Sequence, residues 1–127
     1  MTREDYYGTG NVTVTSDWND AASQTVTSKT TGKTILLAVD AQNNGAADAF
    51  LRIYDNDNST PVVPNTVSPL VTYMIPTGGG KVNEKNLGIE LANGLTFAIT
   101  SGAGDTDAGT ITNADEVVIN LEYFDKF

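Results

Sequence analysis

The segment GLTFAITSGAGDTDAGTI, residues 94–111, is where residue types and spacing first invite chemistry. A glycine-rich, aspartate-bearing run follows directly on a strand-like stretch, the setting of a phosphate loop or a calcium loop. A dinucleotide-binding GxGxxG needs a glycine three places after Gly104, where Asp107 stands, and GTITNADEVV after Ala108 is no helix start. Loops of that kind bind phosphate through the N–H groups of a helix N-terminus, so the phosphate reading fails. Calcium is better posed, because Asp105 and Asp107 offer two hard oxygen ligands. A calcium site needs six or more such oxygens, however, and no nearby glutamate completes a known spacing. The expectation is a solvated loop between two strands, with the two aspartates kept as calcium candidates.

Two further stretches imitate known loops. YDNDNST, residues 54–60, sets Asp55, Asp57 and Ser59 at alternate positions, like the start of an EF-hand loop. Thr60 stands where the sharp turn needs glycine, and Thr66 where the bidentate glutamate belongs. An Asx-rich turn leaving the end of a strand is the favoured reading, and Asp55 and Asp57 join the calcium candidates. In TTGKT, Gly32, Lys33 and Thr34 match the last three residues of a Walker A loop, but the earlier glycine would fall at Thr27. An apolar, β-branched run follows instead of a helix, so a hairpin turn is expected.

Composition removes most catalytic schemes. The chain of 127 residues has neither cysteine nor histidine, which excludes disulfides, thiolate or imidazole metal sites, and the usual nucleophile and histidine arrangements. Carboxylate pairs of glycosidase type arise by chance among 16 acids, and none is marked by an apolar setting that would raise a pKa. No enzyme activity, cofactor or small-molecule substrate is expected. Tyr6 and Tyr7 in REDYYGTGN, and Trp18 in the turn-like SDWND, are the aromatic candidates. They serve either as interface anchors on a flexible arm or, with equal weight, as caps on one end of the core.

The elements that must position these residues are strands. Period-two alternation recurs along the chain and no apolar stripe of helical spacing reaches the length of a globular helix. Val12 with Val14, and Val26 between threonines, suggest thin edge strands. KTILLAVDA puts Ile35, Leu37 and Val39 on one face with Leu36 and Ala38 on the other, the pattern of a central strand covered on both sides. Leu51 and Ile53 alternate with Phe50, Arg52 and Tyr54; Val71, Tyr73 and Ile75, then Leu87, Ile89 and Leu91, then Leu95, Phe97 and Ile99 continue the series. EVVINLEYF closes it, with Val117, Ile119, Leu121 and Tyr123 facing in.

Glycine- and asparagine-bearing turns separate the runs at residues 30–34, 43–48, 77–81 and 92–95. DNDNSTPVVPNTVSP, with prolines at 61, 64 and 69, is the one long irregular connection and is expected to cross from one sheet to the other. The expected fold class is all-β: a single β-sandwich of jelly-roll or Greek-key type with about eight antiparallel strands. Residues 1–10 are expected to form an N-terminal arm and residues 11–127 the sandwich domain.

Seven basic residues against 16 acidic give a net charge of −9, which repels phosphate backbones and anionic lipid. Neither nucleic acid nor membrane is expected as a partner. MTREDYYGTG has no apolar core of signal-peptide length, so a soluble protein made without a secretory signal is expected.

The second half resembles a group of small tailed-bacteriophage virion proteins. The likeness runs over residues 49–124 and is carried by GLTFAIT at 94–100, GAGDTD at 102–107 and the terminal DEVVINLEY at 115–123. It is a pattern of strands and turns without a catalytic signature. The resemblance implies a virion structural component, often a small β-sandwich that decorates or cements a capsid and sometimes a part of a tail or fibre. Its expected partners are then the phage major capsid protein and further copies of itself. Its expected place is the capsid exterior, after assembly in the host cytoplasm. A tail, collar or fibre subunit is the runner-up. A carbohydrate-binding sandwich stacking sugars on Trp18 and the tyrosines is a further alternative.

Overall fold

The fold is that of a computed structural model, which describes residues 15–20, 27–28, 30–57, 59, 62, 67–102 and 117–124. The described residues form nine strands: β1 (Thr15–Asp20), β2 (Thr27–Ser28), β3 (Thr34–Asn43), β4 (Ala49–Asp55), β5 (Val71–Ile75), β6 (Gly80–Glu84), β7 (Ile89–Leu91), β8 (Leu95–Thr100) and β9 (Val117–Phe124). One sheet has the order β1-β9-β3-β6, with β7 also pairing β3, and the other has the order β2-β8-β4-β5. All pairings are antiparallel.

This order has a simple origin. β1 pairs β9, β2 pairs β8, β3 pairs β6 and β7, and β4 pairs β5, which is one long hairpin with its pairs nested inside one another. Folding that hairpin over itself adds the β3–β9 and β4–β8 ladders. The result is a jelly roll, which decides between the two sandwich types that the alternation allows.

β6 and β7 are two pieces of one strand position. β6 pairs Val39–Asn43 of β3 and β7 pairs Thr34–Leu36. Between them the backbone breaks at Asn86 and Gly88, with φ of 57° and 61°. Leu87 donates its N–H to the Leu37 carbonyl at 2.9 Å, holding the break against β3.

The two inner faces form the core. Leu36, Val39, Leu51, Ile53, Ile75, Leu91, Leu95, Ile99, Ile119 and Leu121 are fully buried there, joined by Phe97, Val117 and Tyr123. β9 divides as its alternation predicts. β3 does not, because its register against β9 shifts between Leu36 and Ala38. Leu37 is the extra residue of that bulge, so Leu36 rather than Leu37 shares the inner face with Val39 and Ala41. β3 is central in its sheet, but the positions 38, 40 and 42 on its other face are only half-buried. Cover on both sides is therefore limited to its start, where Ile35 is buried beside Phe124.

The sheet that is covered on both sides is the other one. Arg52 and Tyr54 on β4, and Thr96, Ala98 and Thr100 on β8, alternate with the core residues and are themselves buried. Tyr54 and Ala98 form a second cluster with Val62 from the proline-rich connection. That connection joins β4 to β5, neighbours in one sheet, so the expected crossing between sheets is corrected. The segment returns to its own sheet and lays Val62 over the outer face, because the apolar groups there need a cover. The short turns do the crossing instead. TTGKT joins β2 to β3 in different sheets, so it is a crossover and not a hairpin turn. Residues 44–48, 76–79 and 92–94 likewise pass between sheets.

Candidate functional site

At one end of the sandwich the calcium candidate Asp55 closes β4. Its Oδ1 accepts the N–H groups of Asn93 at 2.8 Å and Gly94 at 3.3 Å, and its Oδ2 accepts that of Ala92 at 3.1 Å. A carboxylate facing three successive N–H donors anchors a turn, here the β7–β8 crossover. Gly94 shows how tight the site is, since a Cβ there would stand 2.4 Å from the Thr30 carbonyl oxygen and 2.9 Å from that of Asn56. Around it, Thr30 Oγ1 accepts the Leu95 N–H at 2.8 Å, Asn56 donates its N–H to the Gly94 carbonyl at 3.0 Å, and Thr96 donates its hydroxyl to the Asn56 carbonyl at 2.8 Å.

Asp57 stands two residues on and does a local task. Its Oδ1 accepts the Ser59 N–H at 2.9 Å, an Asx turn. Hydrogen bonds from the Ser59 side chain and then its backbone hold the Asp57 carboxyl below the ordinary carboxylate range. Asp55 and Asp57 are thus turned to different backbone donors rather than toward one point. Among the described residues no three acidic side chains gather to hold a metal ion. The other calcium candidates, Asp105 and Asp107, and the interface candidates Tyr6 and Tyr7, lie outside the described residues. Trp18 belongs to β1, opposite Asn120 on β9. SDWND is therefore part of an edge strand and not a turn, as the ladder of six paired positions requires.

The opposite end is latched by Asn43. Its Nδ2 donates to the carbonyls of Ala47 at 2.8 Å and Ile75 at 3.0 Å, and its Oδ1 accepts the Gly45 N–H at 2.9 Å. Asp48 Oδ1 accepts the Thr77 N–H at 3.0 Å, and Gly79 donates to the Asn43 carbonyl at 2.7 Å. The β3–β4 and β5–β6 crossovers are thereby tied to each other. Gly80 must be glycine here, because a Cβ would meet the Pro76 carbonyl oxygen at 2.3 Å.

Arg52 is the largest fully buried polar side chain among the described residues. It donates from Nε to Thr100 Oγ1 at 2.9 Å and from Nη2 to the Gly102 carbonyl at 2.7 Å. The β4–β8 ladder sets Arg52 opposite Ala98, whose small side chain leaves room for the guanidinium. Alternation alone placed Arg52 off the core face but carried no signal that this face would be buried.

The remaining surfaces differ in kind. The outer face of the β6-β3-β9 region is polar, with an open depression lined by Asp40, Asn83, Lys85, Asn120 and Glu122. Asp40 stands between Asn83 and Asn120 in one cross-strand row. On β5 and the segment leading into it the surface is apolar, with Val67 40%, Leu70 55% and, on the strand, Met74 51% exposed. Tyr73 on the same strand lies toward β6, where burial and then the Glu84 charge push its hydroxyl pKa up.

No family model and no curated protein matches the chain. Among solved structures it is similar to the coat protein of Tobacco streak virus, at 12% identity and a TM-score of 0.43, over 92% of this chain and 88% of that one.

Proposed function

We propose that the chain is a non-enzymatic virion structural protein, and specifically a decoration or cement protein bound to the outside of a tailed-phage head. The observation that carries this reading is where the polar interior is spent. The six buried polar residues among the described ones are Thr30, Thr34, Asn43, Arg52, Thr96 and Thr100. Every one of them bonds the chain's own crossovers and loops. Such a jelly roll is a stiff block whose work is done by its outer surface, which suits a part that is assembled rather than one that turns over a substrate. The phage-like pattern over residues 49–124 supports a virion structural role, and the acidity of the chain favours the outside of the head among its forms.

The mechanism is mechanical. Copies that bridge neighbouring capsomers add contact area, and a modest contact repeated over a closed lattice resists internal pressure. A net charge of −9 suits an outer surface better than a lumen filled with DNA. The test is addition of purified protein to undecorated heads. Stoichiometric uptake and a raised melting temperature of the heads are expected. Absence from heads together with presence in tails in ring-like copy number would move the assignment to a tail, collar or fibre subunit. Glycan binding that is lost on chelation would replace both with a carbohydrate-binding module.

A further inference from the structure

We infer that β5 is a self-docking edge, along which two copies of this chain pair antiparallel about a two-fold axis and join their β2-β8-β4-β5 sheets. β5 ends its sheet among the described strands, so none of them forms a ladder along its outer side. Edges of this kind are ordinarily guarded by charge, by a bulge or by a covering loop. Here no charged residue stands anywhere between Asp57 and Lys81. Pro69 and Pro76 bracket the strand and lack N–H groups, which confines a paired window to residues 70–75, with the Leu70 N–H already donated to the Ile53 carbonyl on β4.

The apolar surface lies in the same place. The exposed large hydrophobic residues among the described ones are Val67, Leu70 and Met74, all within one short segment ending on β5. Phe50 stands opposite Met74 across the β4–β5 ladder and is half-buried, widening the strip on that face. Apolar groups concentrated on an unpaired edge mark a contact rather than scattered exposure.

Charge selects the occupant. A second copy carries the same −9, so two copies meet with least repulsion where neither presents a charged side chain. A foreign partner drawn by electrostatic complementarity would be steered to the acid-bearing faces instead. An uncharged edge meeting itself is self-complementary, as a two-fold contact requires. The inference supplies a copy-to-copy contact for the proposed virion role but rests on the edge itself. The two fail separately, because self-association is read on the isolated protein and capsid addition on undecorated heads.

The experiment is sedimentation equilibrium of the full chain across the micromolar range, for the wild type, for Leu70→Glu with Met74→Glu, and for Asn83→Asp. Asn83 is an exposed residue on β6, in the other sheet, and its variant controls for added charge. The wild type is expected to dimerise, and the double variant to weaken dimerisation by at least about tenfold through like charges facing across the axis. Asn83→Asp is expected to match the wild type. If the double variant melts early, Met74→Lys alone takes its place, since that half-exposed position accepts a long polar side chain. A wild type that stays monomeric throughout the range would overturn the inference, as would a dimer that tolerates both edge variants.

Discussion

The Asp55 carboxylate accepts the Asn93 N–H at 2.8 Å across 38 residues of sequence. One side chain at the end of β4 thereby fixes the crossover that carries the chain from β7 in one sheet to β8 in the other. This has a direct consequence for stability. Asp55→Ala leaves three backbone N–H groups without their acceptor, and hydrogen bonds to a charged group are worth about 1.5–3 kcal/mol. A loss of about 2 kcal/mol is expected in urea unfolding, with no response of the wild-type midpoint to calcium or chelator. A calcium-dependent midpoint that disappears in Asp55→Ala would return the residue to a metal site.

Gly94 and Gly32 make an internal comparison. A Cβ at Gly94 would collide with two carbonyl oxygens at a φ of +152°, whereas a Cβ at Gly32 meets nothing within 4 Å. Gly94→Ala is expected to cost about 2 kcal/mol or more, by strain and displaced hydrogen bonds. Gly32→Ala is expected to lie within about 0.5 kcal/mol of the wild type. Equal melting temperatures for the two variants would contradict the packing described at this end.

Arg52→Met tests the covered outer face. The substitution keeps much of the apolar stem but strips the donors from Thr100 Oγ1 and the Gly102 carbonyl. Loss of about 2–3 kcal/mol is expected, together with faster amide exchange in β8. Arg52→Lys is expected to recover only part, since a single ammonium does not reproduce the two-nitrogen reach of guanidinium. Full stability in Arg52→Ala would mean that this face is open to water.

Tyr73 predicts a response to alkali. Its pKa lies above the ordinary 10.0 in the folded state, from burial first and the Glu84 charge second. A group whose folded pKa is raised contributes stability that is fully present below its unfolded value and is lost as pH rises through the folded value. Destabilisation is therefore expected above about pH 10, and Tyr73→Phe should flatten it. Glu84→Gln should lower the late-titrating phenol seen by absorbance. An alkaline unfolding curve identical in Tyr73→Phe would show that the loss arises elsewhere.

Local patterns in the sequence determined a good part of this protein. Alternation marked Leu51 and Ile53, Leu95 to Ile99, and Val117 to Tyr123 as core positions, and all of these are buried. Absence of cysteine and histidine excluded whole classes of chemistry at once. These features are legible because the period of a strand and the identity of a functional group are properties of the residues themselves. Val12, Val14 and Val26, from which the early edge strands were expected, lie outside the described residues; the described edge strands are Thr15–Asp20 and Thr27–Ser28.

Tertiary structure alone decided the rest. GKVNE has one apolar residue, Val82, and its first two residues fall in the turn expected at 77–81, yet it is β6 because β3 offers it a ladder. The extra residue at Leu37 reverses the faces of β3 only in register with β9. Burial of Tyr54 follows from a cover that includes Val62, Arg52 is held by Thr100 and Gly102 from a distant strand and its loop, and the task of Asp55 follows from a turn brought to it from far along the chain. Each of these depends on which distant segments meet, and alternation has no means of recording that: a strand's period says which residues share a face, never what lies against it.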